Sequence, residues 1–289
     1  MTEVTTPAAG PPAPVRAWLR LFRSELRLVF GRRHNQLLLA VVAVFPVAIG
    51  IGMRAQAPPP GATGGPNVAF FGQLTGNGIF LGFMALALLV TLIMPFAVAV
   101  VAGDSIAGES GSGTLRYLLA VPAGRTRLLT VKYAVIVVFG TAVTFAVTAV
   151  ALATGALLFP LGPVTLLSGT SVPLVEGILR LLLVTLYVAA GMASLGAIGL
   201  AVSTFTEHAI GAVAAVTVLV VASEVADNVL QFAAIRPYLP THWWTSFDAL
   251  LREPADTAGV LHGLLSFGAY LVLFCSIAWA RFSTADATG

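Results

Sequence analysis

The chain has 289 residues, of which 58% are apolar and only 9% charged, against roughly 25% charge in a soluble domain. That composition excludes a water-soluble globular protein, and apolar runs along nearly the whole length leave no room for a second, soluble core of ~100 residues. The net charge of +3 does not point to nucleic acid, because the basic residues flank the apolar runs as orientation signals, and the single cysteine, Cys275, excludes a disulfide framework or a cysteine metal site.

In chain order, residues 1–14 are a Thr/Pro/Ala/Gly tail, expected to be disordered. It has no basic n-region, so the first span is expected to serve as its own membrane signal. Residues 15–33 then carry two helical patterns. Val15, Trp18, Leu19, Phe22 and Leu26 recur at i, i+3, i+4, i+7 and i+11, while Arg16, Arg20, Arg23 and Arg27 fall on another face. This predicts an interfacial amphipathic helix, apolar side at the headgroup boundary and guanidinium groups toward anionic lipid or an acidic partner. Anchoring the first span is the simpler reading of the same pattern.

Six apolar segments then approach the ~17 to 25 residues that cross a bilayer. They are Leu37–Met53, Ile79–Ala102, Ala134–Phe159, Ile178–Val202, Ala209–Phe232 and Ala258–Ala280. The predicted fold is an all-α integral membrane protein, six spans preceded by the interfacial helix, with a membrane domain over residues 34–282 and a short tail at 283–289.

Between the second and third spans lies the one substantial polar interruption, residues 103–133. Here Ser112 and Thr114 can cap a helix, Leu115, Leu118 and Leu119 fall at i, i+3 and i+4, and Pro122 with Gly124 ends the run. The loop is therefore predicted to present a small apolar stripe to the aqueous side, about Ser112 to Val121. Gly108, Gly111 and Gly113 suggest a phosphate cradle only weakly, because no strand precedes them.

Later elements hold three further groups. Glu176 and Arg180 are an i,i+4 pair at the start of span four, read as a rim ion pair. Ser194, in G-M-A-S-L-G, and His262 are an intramembrane nucleophile and base in one reading and packing residues in the favoured one. Glu224 and Asp227 lie three apart on one face, with Asn228 and Gln231 extending the strip, which at membrane depth indicates a cavity or relay for translocation or gating. The favoured alternative ends span five near Val221 and starts a short re-entrant or surface helix there, with Trp243 and Trp244 in an interfacial belt. The four histidines show no metal-ligand spacing.

Orientation follows from charge. Eleven of the fifteen basic residues fall on the side holding the termini and the 103–133 loop, which the positive-inside rule makes cytoplasmic. Loops 54–77, 160–177 and 233–257 are then outside. Arginine-heavy, alanine-rich usage with Lys132 as the sole lysine points to a high-GC bacterial genome, and so to a bacterial inner membrane.

The leading helix, the six spans and the motif D-x-x-A-x-E-x-x-x-G-T-L-x-x-L-L-x-x-P-x-x-R-x-x-x-x-x-K resemble the permease subunit of an ABC-2 type transporter. The motif residues are Asp104, Ala107, Glu109, Gly113, Thr114, Leu115, Leu118, Leu119, Pro122, Arg125 and Lys132. Two positions depart from the family pattern, Ser110 where many members carry a base and Arg116 where many carry an acid. The resemblance implies an exporter half whose cytoplasmic coupling helix, with Arg116 on it, docks on a separate ATP-binding subunit, present in two copies, and which pairs with a second permease, itself or a relative. ATP and magnesium would sit on that subunit. This chain has no G-x-x-x-x-G-K-[ST] loop, so no cofactor is expected in it. A non-transporting membrane scaffold or sensor of the same architecture is the alternative, with the serine hydrolase a remote third. Membrane lipid is the remaining expected partner.

Overall fold

In the computed structural model, which describes residues 14–56, 76–111 and 124–284, the described parts of the long apolar runs are helical apart from short breaks. The amphipathic segment is α1 (Pro14–Gly31), followed after one residue by α2 (Arg33–Ala55). The second apolar run is α3 (Phe80–Leu89) and α4 (Ile93–Asp104), and a short α5 (Ala107–Gly111) follows. After the polar loop come α6 (Arg125–Leu158), a hairpin of two-residue strands β1 (Val164–Thr165) and β2 (Ser171–Val172), and α7 (Leu174–Ser203). Helix α8 (Ala209–Asn228) leads through three short 3-10 turns to α9 (Thr257–Thr284).

Among the described residues five helices are long and apolar enough to cross a membrane, and α3 with α4 forms a sixth candidate bent by 53°. The chain is thus an all-α, multi-pass membrane protein, but its expected second span is broken. Pro95, in the first turn of α4, has no N–H to give the Thr91 carbonyl, and its ring crowds that carbonyl.

Other expected boundaries also move. Helix α6 begins at Arg125, nine residues before the predicted start, and at 34 residues is ~51 Å long. That exceeds a ~30 Å hydrocarbon core, and the excess length includes its basic first turns. Helix α8 runs unbroken to Asn228, which corrects the expected end near Val221. Glu224 and Asp227 are therefore on the last turns of a span and not on a separate surface helix. Most of the tail expected at 1–14, the 112–123 part of the polar loop and the last five residues lie outside the described residues.

Helix α7 is the hub, the most buried of the spans. Its small residues allow close approach: a methyl group on Gly196 would lie 2.7 Å from Ile136 of α6, and one on Gly199 would lie 2.6 Å from Ala102 of α4. Such contacts are how helices associate where lipid is as apolar as leucine. Phe139, Met192, Leu195 and Ile198 are among the buried side chains around them.

Side-chain contacts divide the bundle into two ends. At one, Asp104, Glu109, Arg125, Lys132, Ser203 and Phe282 come together; Ser105 Oγ lies 3.3 Å from Ser203 Oγ, and Arg125 donates to the Ser283 carbonyl at 2.8 Å. At the other, Asn77 donates to the carbonyls of Gly162 and Pro163 at 2.8 and 2.9 Å, and the Leu167 N–H donates to Leu251 at 2.9 Å. These are the loop end and the far end below. Loops that charge asymmetry assigned to one side of a membrane share one end.

Candidate functional site at the root of the polar loop

Only one lysine exists in the chain, and the fold buries it. Lys132, two turns into α6, has a side chain 3% exposed; its Nζ lies 2.6 Å from Glu109 Oε1 and 3.4 Å from Glu25 Oε2. Glu109 sits on α5, at the end of the broken span, and Glu25 on α1. One ammonium thus joins three separate elements. Beside it Arg32, between α1 and α2, pairs with Asp104 at the end of α4. Three carboxylates and two cations meet here, around a cavity of about 20 Å³ lined in part by Asn35, Asp104, Glu109 and Lys132, room for a single water.

Low-dielectric surroundings strengthen these attractions and also raise the penalty for any charge left alone. Burial pushes the Glu109 carboxyl above its ordinary range, while the Lys132 ammonium beside it acts in the opposite sense. The site is therefore a fastening whose integrity depends on all its members. It ties the membrane-surface helix to the root of the polar loop and to the start of α6.

Of the residues read from the sequence for this region, Asp104 and Glu109 are in the cluster, and Arg125 lies nearby, tied to the end of α9. Gly113, Thr114, Leu115, Arg116, Leu118, Leu119 and Pro122, with the whole segment Ser112 to Val121, lie outside the described residues. Sequence reasoning missed Glu25. The signal was present: it is the sole acid on an arginine-rich helix, three residues after Phe22 and one before Leu26. The face of α1 that packs on the bundle includes Glu25, at 8% exposure, while Leu19 of the apolar stripe is 42% exposed.

The glycines weighed as a phosphate cradle have another purpose. A methyl group on Gly108 would fall 2.1 Å from Asp104 Oδ1, and one on Gly111 would fall 2.6 Å from the Glu207 carbonyl. Both face oxygen acceptors, whereas a phosphate needs N–H donors.

At the far end Asp227 Oδ1 is 2.6 Å from His242 Nδ1, and Ser223 Oγ is 2.9 Å from Thr241 Oγ1. Glu224 faces Thr241 as well. The last turns of α8 are thus clipped to the segment between the second and third 3-10 turns. Trp243 lies half-buried there, but Trp244 is 2% exposed and packed against Gly191, which corrects its assignment to an interfacial belt. Arg180 joins Glu176 at 2.7 Å and also meets Glu253, making the rim pair a three-member group. Ser194 donates to Gly191 at 2.7 Å, while His262 Nδ1 is bonded to the Ala258 carbonyl at 2.7 Å. Each is committed to its own helix, and the geometry is that of packing residues.

A sequence model of the ABC-2 family transporter proteins matches residues 32–223. The chain belongs to that family. The matched region of this ABC-2 family chain holds Arg32, Asp104, Glu109 and Lys132 of the cluster, while Glu25, Glu224 and Asp227 fall outside it. Compared with curated proteins, the chain matches none.

Proposed function

We propose that this ABC-2 family chain is the permease subunit of an ATP-driven exporter in a bacterial inner membrane, pairing with a second permease and binding two copies of a separate ATP-binding subunit. Nucleotide and magnesium reside on that subunit. The observation that carries the reading is the Lys132–Glu109–Glu25 contact, because an element that transmits nucleotide-driven closure must be held rigidly to the spans it moves. Lys132, the only lysine, is consumed by two carboxylates inside the fold, so it is not a phosphate ligand. The segment from Ser112 to Val121 is the coupling helix in this proposal. The bent α3–α4 pair, joined to it through Asp104 and α5, is the element whose two arrangements convert the push into inward- and outward-facing states. At the far end, Glu224 and Asp227 contribute to gating.

Docking is tested by replacing Leu115 and Leu118 with Asp. Burying one such leucine is worth roughly 1.5 to 3 kcal/mol, so the double variant is expected to lose pull-down of its partner ATPase while inserting normally. Full complex formation with full substrate-stimulated hydrolysis would sink the coupling role. Sidedness is tested separately, with a cysteine at Ser112 in a Cys275→Ser background. An impermeant thiol reagent is expected to label it in opened membranes only; labelling from outside intact cells would reverse the orientation.

A further inference from the structure

Along one face of α9 the residues His262, Leu265, Ser266, Ala269, Tyr270 and Leu273 follow one another at i, i+3, i+4, i+7, i+8 and i+11 and line a cavity of about 520 Å³. The opposite wall is Pro237 and Tyr238 of the second 3-10 turn after α8, with Trp243 from the segment that follows it. Eleven residues of helix make this groove ~16 Å long. It starts near the far-end terminus of α9 and descends to the middle of that span.

Its walls are built in advance of any ligand. Trp243 stacks on His262 with ring centroids 5.6 Å apart, and its Nε1 donates to the Pro237 carbonyl at 2.9 Å. The Tyr187 hydroxyl donates to the Trp243 carbonyl at 2.6 Å, and the Tyr270 hydroxyl to that of Tyr238. Polarity falls along the groove. His262 and Ser266 are in the upper part with Leu265, and Ala269, Tyr270 and Leu273 follow below, the Tyr270 hydroxyl being taken up by the Tyr238 carbonyl; among the described residues no carboxylate, lysine or arginine lines it. The preceding 3-10 turn and its neighbours expose Leu230, Phe232 and Ile235.

We infer that this groove holds the hydrocarbon chain of a membrane amphiphile, its polar head at His262 and Ser266 and its tail lying along Ala269 and Leu273. A volume within the range of ligand pockets, an apolar floor and a few polar groups at one end suit that chemistry. His262 Nδ1 is held by Ala258, and Nε2, with no protein partner among the described residues, is left for the head. A rigid polar solute would leave its own groups unsatisfied against leucine and alanine. The inference needs only the membrane placement of α9, so its failure leaves the permease reading standing.

The test uses the full chain in lipid nanodiscs with two photoactivatable probes, a phospholipid with a diazirine in one acyl chain and a single-chain alkyl phosphocholine with the same group. Labelled positions are mapped by mass spectrometry. Labelling is expected several-fold higher at Leu265, Ala269 and Leu273 than at Leu264 and Val272, which are exposed on another side of α9. It should saturate, and excess unlabelled amphiphile should displace it from the first row only. Capture of the two-chain probe identifies a resident bilayer lipid; capture of the single-chain probe alone identifies an amphiphile that enters from solution or from the transport path. Ala269→Trp fills the groove at an exposed position and should reduce the first row to the level of the second. Equal, unsaturable labelling of both rows in the unmodified chain would mean annular lipid contact only and would overturn the inference, whatever the Trp variant does.

Discussion

Replacing Lys132 with Met is expected to produce the largest loss of stability of any single substitution at the loop end. The side chains of Glu25 and Glu109 are 11% and 13% exposed around a lysine that is 3% exposed. Removing the ammonium leaves two carboxylates in a low-dielectric site with their shared cation gone, a change that costs about 3–5 kcal/mol. Against a total stability of about 5–15 kcal/mol, that is enough to lower the folded yield sharply. Thermal inactivation in detergent, followed by size-exclusion chromatography, should show a midpoint well below that of the unmodified chain. Adding Glu25→Gln and Glu109→Gln to Lys132→Met should recover most of the loss, because amides can be buried without charge. The pH dependence has a definite sign. Burial already raises the Glu109 pKa, and Lys132 is the first influence opposing it. In the Met variant a raised folded pKa means stability that is present at low pH and lost as pH rises through that value. Acidification toward the carboxylate range should therefore rescue Lys132→Met. An unchanged midpoint in the Met variant would show that the cluster is solvated and is not the fastening described.

Gly155→Ala is expected to disrupt the far end. A Cβ at Gly155 would sit 2.0 Å from the Gly78 carbonyl oxygen and 3.1 Å from the Gly78 Cα, and a Cβ at Gly78 would sit 2.4 Å from the Gly155 oxygen. Both obstacles are backbone, so no rotamer change relieves them. The segment before α3 would have to withdraw from α6, straining the Gly78 N–H bond to Pro160 at 3.0 Å and the pair that Asn77 donates to Gly162 and Pro163. Overpacking of this kind costs typically about 1–3 kcal/mol, occasionally more. Gly259→Ala is the matched control. It lies in α9 with nothing within 4 Å of the added carbon, and there alanine should stabilise by about 0.4–1 kcal/mol. Opposite shifts in melting midpoint are the expected result; equal shifts would remove the steric argument.

What the sequence by itself determined was everything carried by length, periodicity and sign of charge. A composition with so few charges admits only a membrane protein, and runs of apolar residues at membrane-crossing length locate the spans, though not the early start of α6 or the break in the second. Arginine positions grouped the loops into the same two sets that the fold brings together, because that pattern is written along the chain and needs no folding to be read. The motif from Asp104 to Lys132 was likewise legible, and with it the family. Tertiary structure decided which of those residues act together. Glu25 is one acid on an arginine-rich helix until α1 is laid against α6, where the sole lysine meets it across 107 positions of sequence. The break between α3 and α4 depends on whether the chain bends at Pro95 or is straightened by its neighbours, and periodicity is blind to that choice. Trp244 belongs to the core because Gly191 leaves space for an indole, a fact about two elements and not about either alone. The α9 groove exists only because the turns after α8 fold back over one face of a helix whose sequence reads simply as an apolar span. Local pattern fixes what each segment can be; which faces are paired is a property of packing, set by shape and by the penalty on buried charge.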